Sequence, residues 1–137
     1  MRAEFTVLGE PVGKGRPRAT VTGRMYTPSK TVVYENLIRM EYERQCGEQR
    51  IRKPDWVALT IGAYYAIPKN TSKKKRQEML NGNVRPTKKP DIDNVLKCVA
   101  DALNEVAYDD DTQIVQCYCE KHYSDEPRID VVVRSFE

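Results

Sequence analysis

No apolar run in this sequence approaches the roughly 20 residues that a membrane-spanning helix requires, so no such span is expected. Nor does the N-terminus, Met1-Arg2-Ala3-Glu4-Phe5, hold the apolar core and small-residue cleavage site of a secretory signal; a cytoplasmic address is expected. Aromatic residues are few, 8% of the chain against 39% hydrophobic residues in all, a balance suited to a soluble globular protein. Histidine occurs once, as His122, and the four cysteines, Cys46, Cys98, Cys117 and Cys119, include no Cys-x-x-Cys pair, so a zinc site lacks its usual ligand spacing. Cys117 and Cys119 lie two apart in an alternating segment and face one side of a strand; reduced, mostly buried thiols are the expected state. A phosphate-cradling Gly-x-x-x-x-Gly-Lys loop is missing, and so are internal repeats and low-complexity tails. Even net charge is small: 23 Lys and Arg against 20 Asp and Glu leave +3, too little to name a partner.

What is present is unevenly distributed. At 137 residues the chain has the length of one domain, residues 1–137, with enough sequence to bury a core. Lys69 to Lys89 carries eight basic residues against the single acid Glu78, and Asp91 to Asp111 carries seven acids against the single base Lys97. A basic surface beside an acidic pocket is what an enzyme handling a polyanion through bound cations needs, since phosphates must be attracted and metals held. Two solvated faces are the ordinary alternative.

Residues 3 to 8 read as a short strand, stopped by Gly9 and Pro11. Gly13-Lys14-Gly15-Arg16-Pro17-Arg18 follows as an irregular loop that, with Arg24 and Tyr26, offers cations on a flexible backbone. Thr27-Pro28 predicts an N-cap and first-turn proline for a helix to about Cys46-Gly47, with Val33, Leu37 and Met40 facing the core, flanked by Tyr34, Ile38 and Tyr42. From Trp56 to Ala66 the residues alternate, placing Val57, Leu59, Ile61, Ala63 and Tyr65 on one face of a strand. Thr71-Ser72 caps a short Lys-rich helix through Met79-Leu80, closed by Gly82. Asn94 to about Val106 is the clearest helix, with Asp93 as N-cap and Val95, Leu96, Val99, Ala102, Leu103 and Val106 in one apolar stripe. Gln113 to Tyr123 and Arg128 to Arg134 are strand-like, and Ser124-Asp125-Glu126-Pro127 between them predicts an antiparallel hairpin. The sum is an α+β fold of about four strands in a mostly antiparallel sheet, with helices packed on one face.

Asp91-Ile92-Asp93-Asn94 reads as an extended entry into the clearest helix, in which side chains two apart point the same way, so both carboxylates face one point. Lys97 lies four residues beyond Asp93, able to pair with a carboxylate or a bound phosphate. Asp109-Asp110-Asp111 comes just before the next strand; if that strand returns alongside the helix start, a third aspartate reaches the same point. Magnesium takes oxygen ligands at about 2.0 to 2.1 Å and keeps several waters, so two or three carboxylates plus substrate phosphate suit it. Such a site activates water and stabilises charge at phosphorus, with a nearby lysine adding to the effect. The same residues also allow plain roles: Asp93 as a cap, Asp109 to Asp111 as a solvated turn, Lys97 and Asp101 as a surface ion pair.

The run Pro86-Thr87-Lys88-Lys89-Pro90-Asp91-Ile92-Asp93-Asn94-Val95-Leu96-Lys97, continuing to Asp101-Ala102-Leu103 and Asp110-Asp111-Thr112-Gln113-Ile114, resembles the RusA family of Holliday-junction resolvases. The Gly13 to Arg18 loop and Ser72-Lys73-Lys74-Lys75 are similar to family features too, so the resemblance spans most of the chain. It implies a homodimeric, magnesium-dependent endodeoxyribonuclease that resolves four-way junctions by paired symmetric nicks, in DNA recombination and repair, with no small-molecule cofactor. It also implies that Asp91, Asp93 and Asp111 are metal-binding catalytic carboxylates, with Lys97 assisting at the phosphate. Asp110 is the further candidate ligand, and the triple acidic run leaves open which of Asp109, Asp110 and Asp111 binds metal.

Lys14, Arg16, Arg18, Arg24, Lys73, Lys74, Lys75, Lys88 and Lys89 are the candidate phosphate contacts on branched DNA, with idle surface charge as the alternative for each. Tyr26, Tyr34, Tyr42, Tyr64 and Tyr65 are open to base stacking or to core packing, and His122 reads as a strand-surface residue. Two rival functions are a fold-sharing DNA-binding protein that does not cut and a magnesium-dependent phosphoryl-transfer enzyme acting on nucleotides. The intact aspartate motif opposes the first, and the missing phosphate loop opposes the second.

Overall fold

Alternation of apolar and polar residues builds the sheet. In the computed structural model, which describes residues 1–136, strand β1 (Arg2–Leu8) turns Ala3, Phe5 and Val7 inward. Strand β4 (Val57–Ala66) buries Val57, Leu59, Ile61, Ala63 and Tyr65, as its alternation predicts, and β6 (Arg128–Ser135) buries Ile129, Val131 and Val133. With β5 (Ile114–Ser124) these form a four-stranded sheet of order β1-β6-β4-β5. β6 runs antiparallel to β1 and β4, whereas β5 runs parallel to β4. The fold is α+β with a mixed sheet.

The predicted hairpin between the last two strands does not form. β4 lies between them, with Tyr64 opposite Arg128 on one edge and opposite His122 on the other. The turn at residues 124–127 therefore crosses two strand spacings, about 9 to 10 Å. β4 is the most deeply buried strand, even its outward Ala58 being 2% exposed, so its backbone groups on both edges need partners inside the sheet. A direct pairing of β5 with β6 would leave one of those edges unsatisfied.

Ahead of the first helix, β2 (Arg18–Ala19) pairs with β3 (Met25–Tyr26) in a short ribbon within the segment expected to be irregular throughout. Helix α1 (Ser29–Cys46) begins one residue after Pro28, which is itself the N-cap; Thr27 is not, and no side chain caps this end. The Pro28 carbonyl instead accepts from the Thr31 and Val32 amides. The buried stripe of α1 is Thr31, Tyr34, Glu35, Ile38 and Tyr42, while Val33 and Met40 are 67% and 65% exposed. The expected core face and its flank are thus exchanged. Tyr42 decides it: its ring meets Phe5 edge-on at 5.4 Å and its hydroxyl donates to the Gln49 carbonyl at 2.7 Å, which no aliphatic residue of the other stripe could do.

Helix α2 (Lys73–Leu80) is capped as its sequence predicts, the Ser72 hydroxyl accepting from the Lys75 amide, with Gly82 at φ +84° beyond its end. Helix α3 (Ile92–Leu103) begins two residues earlier than expected, with Asp91 and not Asp93 as N-cap. Val95, Cys98, Val99, Ala102 and Leu103 seat it beside α1 on the inner face of the sheet in one continuous core. Of the four thiols, all free, only Cys98 is fully buried, and Cys117 is exposed, fewer than anticipated. Among the described residues no helix is long and apolar enough to cross a membrane.

The exchanged face of α1 predicts a stability pattern. Ile38→Ala should cost about 2 to 5 kcal/mol in urea unfolding, the usual loss for a buried isoleucine, whereas Val33→Ala and Met40→Ala should stay within about 0.5 kcal/mol. Equal losses at all three positions would contradict this packing.

Candidate active site

The Gly13-Lys14-Gly15 segment is a fixed strap, not a flexible loop. The Lys14 amide donates to the Asn94 carbonyl at 2.8 Å, and the Gly15 amide donates to Thr31 Oγ1 at 2.9 Å. A Cβ on Gly13 would stand 2.7 Å from Pro90 Cβ and 2.9 Å from Asn94 Cβ, and one on Gly15 would stand 2.8 Å from Pro28 Cγ. Glycine is needed at both positions because the strap lies flush against the starts of α1 and α3.

Beside the strap opens a cleft of about 950 Å³. Lys14, Arg16, Arg18, Lys30, Lys88 and Lys89 line it, against only two acids, Glu10 and Asp91. Asp91 occupies the N-cap of α3 in extended conformation but makes no side-chain cap bond, so its carboxylate is not consumed by the helix. Its place is set from below: the buried Tyr65 hydroxyl donates to the Pro90 carbonyl at 2.6 Å, immediately before it. Burial, then the Cys119, Asp91 and Glu10 charges, push the Tyr65 phenol well above its ordinary value, keeping it a neutral donor.

Asp93 lies in the first helical turn, so strand-like alternation does not aim it with Asp91. It heads instead a stripe of α3 in which Asp93, Lys97 and Asp101 follow at steps of four residues, neighbours on a helix surface. The third aspartate reaches this stripe from its far end. β5 begins near the C-terminus of α3, where the Asp111 amide donates to Asn104 Oδ1 at 3.0 Å, and ends near its start, where Lys121 Nζ donates to the Lys88 carbonyl. The strand thus does not return its first residues to the helix start as expected.

The three consecutive aspartates have different employments. Asp109 is structural: its carboxylate takes the Lys53 amide at 2.9 Å and pairs with Arg50 at 2.9 Å and Arg52 at 3.1 Å. Asp110 closes a capping box over a 3₁₀ turn (Asp111–Gln113), receiving Gln113's backbone amide on its side chain and returning its own amide to Gln113 Oε1. Its carboxyl is held below the ordinary value, first by the Thr112 hydroxyl. Asp111 is pushed above its ordinary value by burial, then by the hydrogen bond and charge of Asp110 and the charge of Asp101, with Lys97 opposing.

Among the described residues no three carboxylate, histidine or cysteine side chains gather as a closed cation cage. Magnesium does not require one, since it is usually held by one or two carboxylates together with waters and substrate phosphates. The neighbouring Asp110 and Asp111 carboxyls, whose charges act on each other, are an oxygen donor set of that kind. Its repulsion is what a cation would relieve.

The structure brings Lys14, Arg16, Arg18, Lys88 and Lys89 to the cleft. Arg24 sits on the exposed β2–β3 ribbon and Lys73, Lys74 and Lys75 on the first turn of α2, none of them lining it. Tyr34, Tyr42 and Tyr65 are core residues, Tyr26 is exposed, and Tyr64 stacks on His122 at 5.2 Å under Arg128, on the sheet's outer face. Sequence reading missed Lys30, Glu10 and Glu35. Nothing local marks them; each gains its role from a segment distant in sequence.

The family model described as Endodeoxyribonuclease RusA matches residues 9–134. A Bacillus subtilis (strain 168) protein described as the uncharacterized protein YqaN is 39% identical over 136 residues, covering 96% of this chain and 94% of that protein.

The structural duty of Asp109 predicts a pH signature. Its pKa is depressed, first by the Lys53 amide, so its stabilisation is present above the ordinary carboxylate value of 3.8 and is lost as pH falls through the lower folded value. Melting temperatures of wild type and Asp109→Asn should differ at pH 6 and converge once pH has fallen through that lower value. A gap that persists there would assign the effect to something other than this carboxylate's charge.

Proposed function

Because the chain belongs to the RusA family of endodeoxyribonucleases, we propose that it is a magnesium-dependent, structure-selective nuclease that resolves four-way (Holliday) junctions by paired symmetric phosphodiester hydrolysis, in DNA recombination and repair. The observation that carries this reading is the cleft, in which six cations surround an N-cap carboxylate left free of its helix. That arrangement suits a backbone of phosphates far better than a single nucleotide, for which no cradling glycine loop is provided.

Arg16, Arg18, Lys30, Lys88 and Lys89 attract the DNA backbone and fix its register without reading bases. The N-terminus of α3 adds its partial positive charge at the point where a phosphate would pass Asp91. Asp91 and Asp93 at the start of α3, and the Asp110–Asp111 pair at the far end of its row, are the side chains that would hold Mg²⁺, each end together with waters and substrate phosphate; when bound the ion supplies an activated water and charge stabilisation at phosphorus. Lys97, 64% exposed on the same stripe, offers its ammonium to the non-bridging oxygens as negative charge builds there. A two-fold symmetric junction cut twice calls for two such sites related by a two-fold axis, so the working form is a homodimer.

The test is cleavage of a labelled four-way junction by wild type and single variants. Asp91→Asn and Asp111→Asn should each cut about a hundredfold more slowly or worse while still binding the junction, and EDTA should abolish cleavage by wild type. Asp109→Asn should keep cutting. Wild-type rates in both the Asp91 and Asp111 variants would refute the assignment, and junction binding with no wild-type cleavage would move the protein to the non-cutting class.

A further inference from the structure

Lys14 has the charge of a phosphate contact but not its freedom. Its ammonium stands 2.9 Å from Glu35 Oε2 and 3.1 Å from Asp101 Oδ2, with the side chain only 17% exposed. The Lys97 ammonium, 64% exposed, lies 3.9 Å from the same Asp101 oxygen. One carboxylate is therefore shared by two lysines in unlike situations. Lys97 can swing into solvent, whereas Lys14 cannot leave without stranding Glu35, 8% exposed, as a buried charge with no cation, and its backbone is tied to Asn94.

Two cations on one carboxylate repel each other, so a fixed Lys14 weakens the hold of Asp101 on Lys97. We propose that Lys14 is a positioning residue that occupies Asp101 and so keeps the Lys97 ammonium available to the scissile phosphate; this rests on the nuclease reading above. With Lys14 gone, Asp101 and Lys97 close into an ordinary pair one helical turn apart, and the ammonium is withdrawn from the substrate. Arg16 and Arg18, beyond the strap, remain the phosphate contacts of this segment.

The experiment compares K14Q/E35Q, which removes both members of the buried pair and strands neither, with the same pair plus D101N. K14Q/E35Q should lower kcat for junction cleavage about tenfold or more, leaving KM and the salt dependence of junction affinity unchanged, and adding D101N should restore kcat to within about threefold of wild type. A lost phosphate contact instead lowers the salt slope by about one and raises KM. That result, or a failure of D101N to restore cleavage, overturns the proposal. Amine acetylation of the wild-type protein, read by mass spectrometry, decides independently of how the variants fold. Lys97 should react in the free protein and be shielded by junction DNA, with Lys14 unreactive in both states; a Lys14 that reacts freely and is shielded by DNA overturns the proposal. A wild-type protein that cuts no DNA is a different outcome, and it is the nuclease reading that then fails.

Discussion

Helix α3 can satisfy its apolar stripe in only one way. Val95, Cys98, Val99, Ala102 and Leu103 must all leave water, and the inner face of the sheet with α1 beside it is where they do so. Seating that stripe fixes the helix in rotation, and rotation fixes everything on its other side. Asp93, Lys97 and Asp101 are held outward in a row, Asp91 is left at the helix mouth, and Asp111 is brought to the far end of the row through Asn104. A few tens of degrees of rotation would turn this row out of line with the cleft that Asp91 and Asn94 border. The chemistry of this surface is therefore a by-product of core packing, which places it more firmly than a loop could.

The strap of Gly13 to Gly15 completes the arrangement from the other side. It links the starts of α1 and α3 by donating its amides to the Thr31 hydroxyl and the Asn94 carbonyl, an approach that requires two residues without Cβ atoms, and it drives one lysine into the only buried ion pair of the region among the described residues. Fixing this short segment also fixes the base of the arm that carries Arg16 and Arg18. Cations that must meet a stiff polyanion gain from being pre-placed, since less conformational entropy is then lost on binding. The basic cleft and the acidic stripe share one boundary, the N-terminus of α3, where a backbone phosphate would meet both.

Much of this was legible in the sequence where neighbours along the chain decide the outcome. The alternation of β4, the Ser72 cap of α2 and most of the apolar stripe of α3 are local patterns that fold as their spacing predicts, although Cys98 is fully buried where Leu96 and Val106 are only partly so and the helix ends at Leu103. The failures share a cause. α1 has two adjacent apolar stripes, and the buried one also contains Thr31 and Glu35, whose partners lie in the strap; a glutamate in the core stripe hides that stripe from any hydropathy count. The turn at residues 124–127 is short enough for a hairpin, yet β4, some 60 residues earlier in the chain, takes the space between its strands. Glycines that look like flexibility prove to be sites of close approach. The aspartate triplet reads as one uniform acidic run, although Asp109 is committed to Arg50, Arg52 and Lys53, Asp110 to a 3₁₀ turn, and Asp111 to the row on α3.

On the function proposed above, this surface hydrolyses DNA at branch points. The most direct measurement is to map the products of the wild-type protein on a synthetic four-way junction and on a linear duplex of the same sequence, with Mg²⁺ present. Paired nicks at symmetry-related positions of two opposing junction strands, with the duplex left intact, are the expected result. Equal cutting of both substrates, or scattered unpaired nicks, would contradict it.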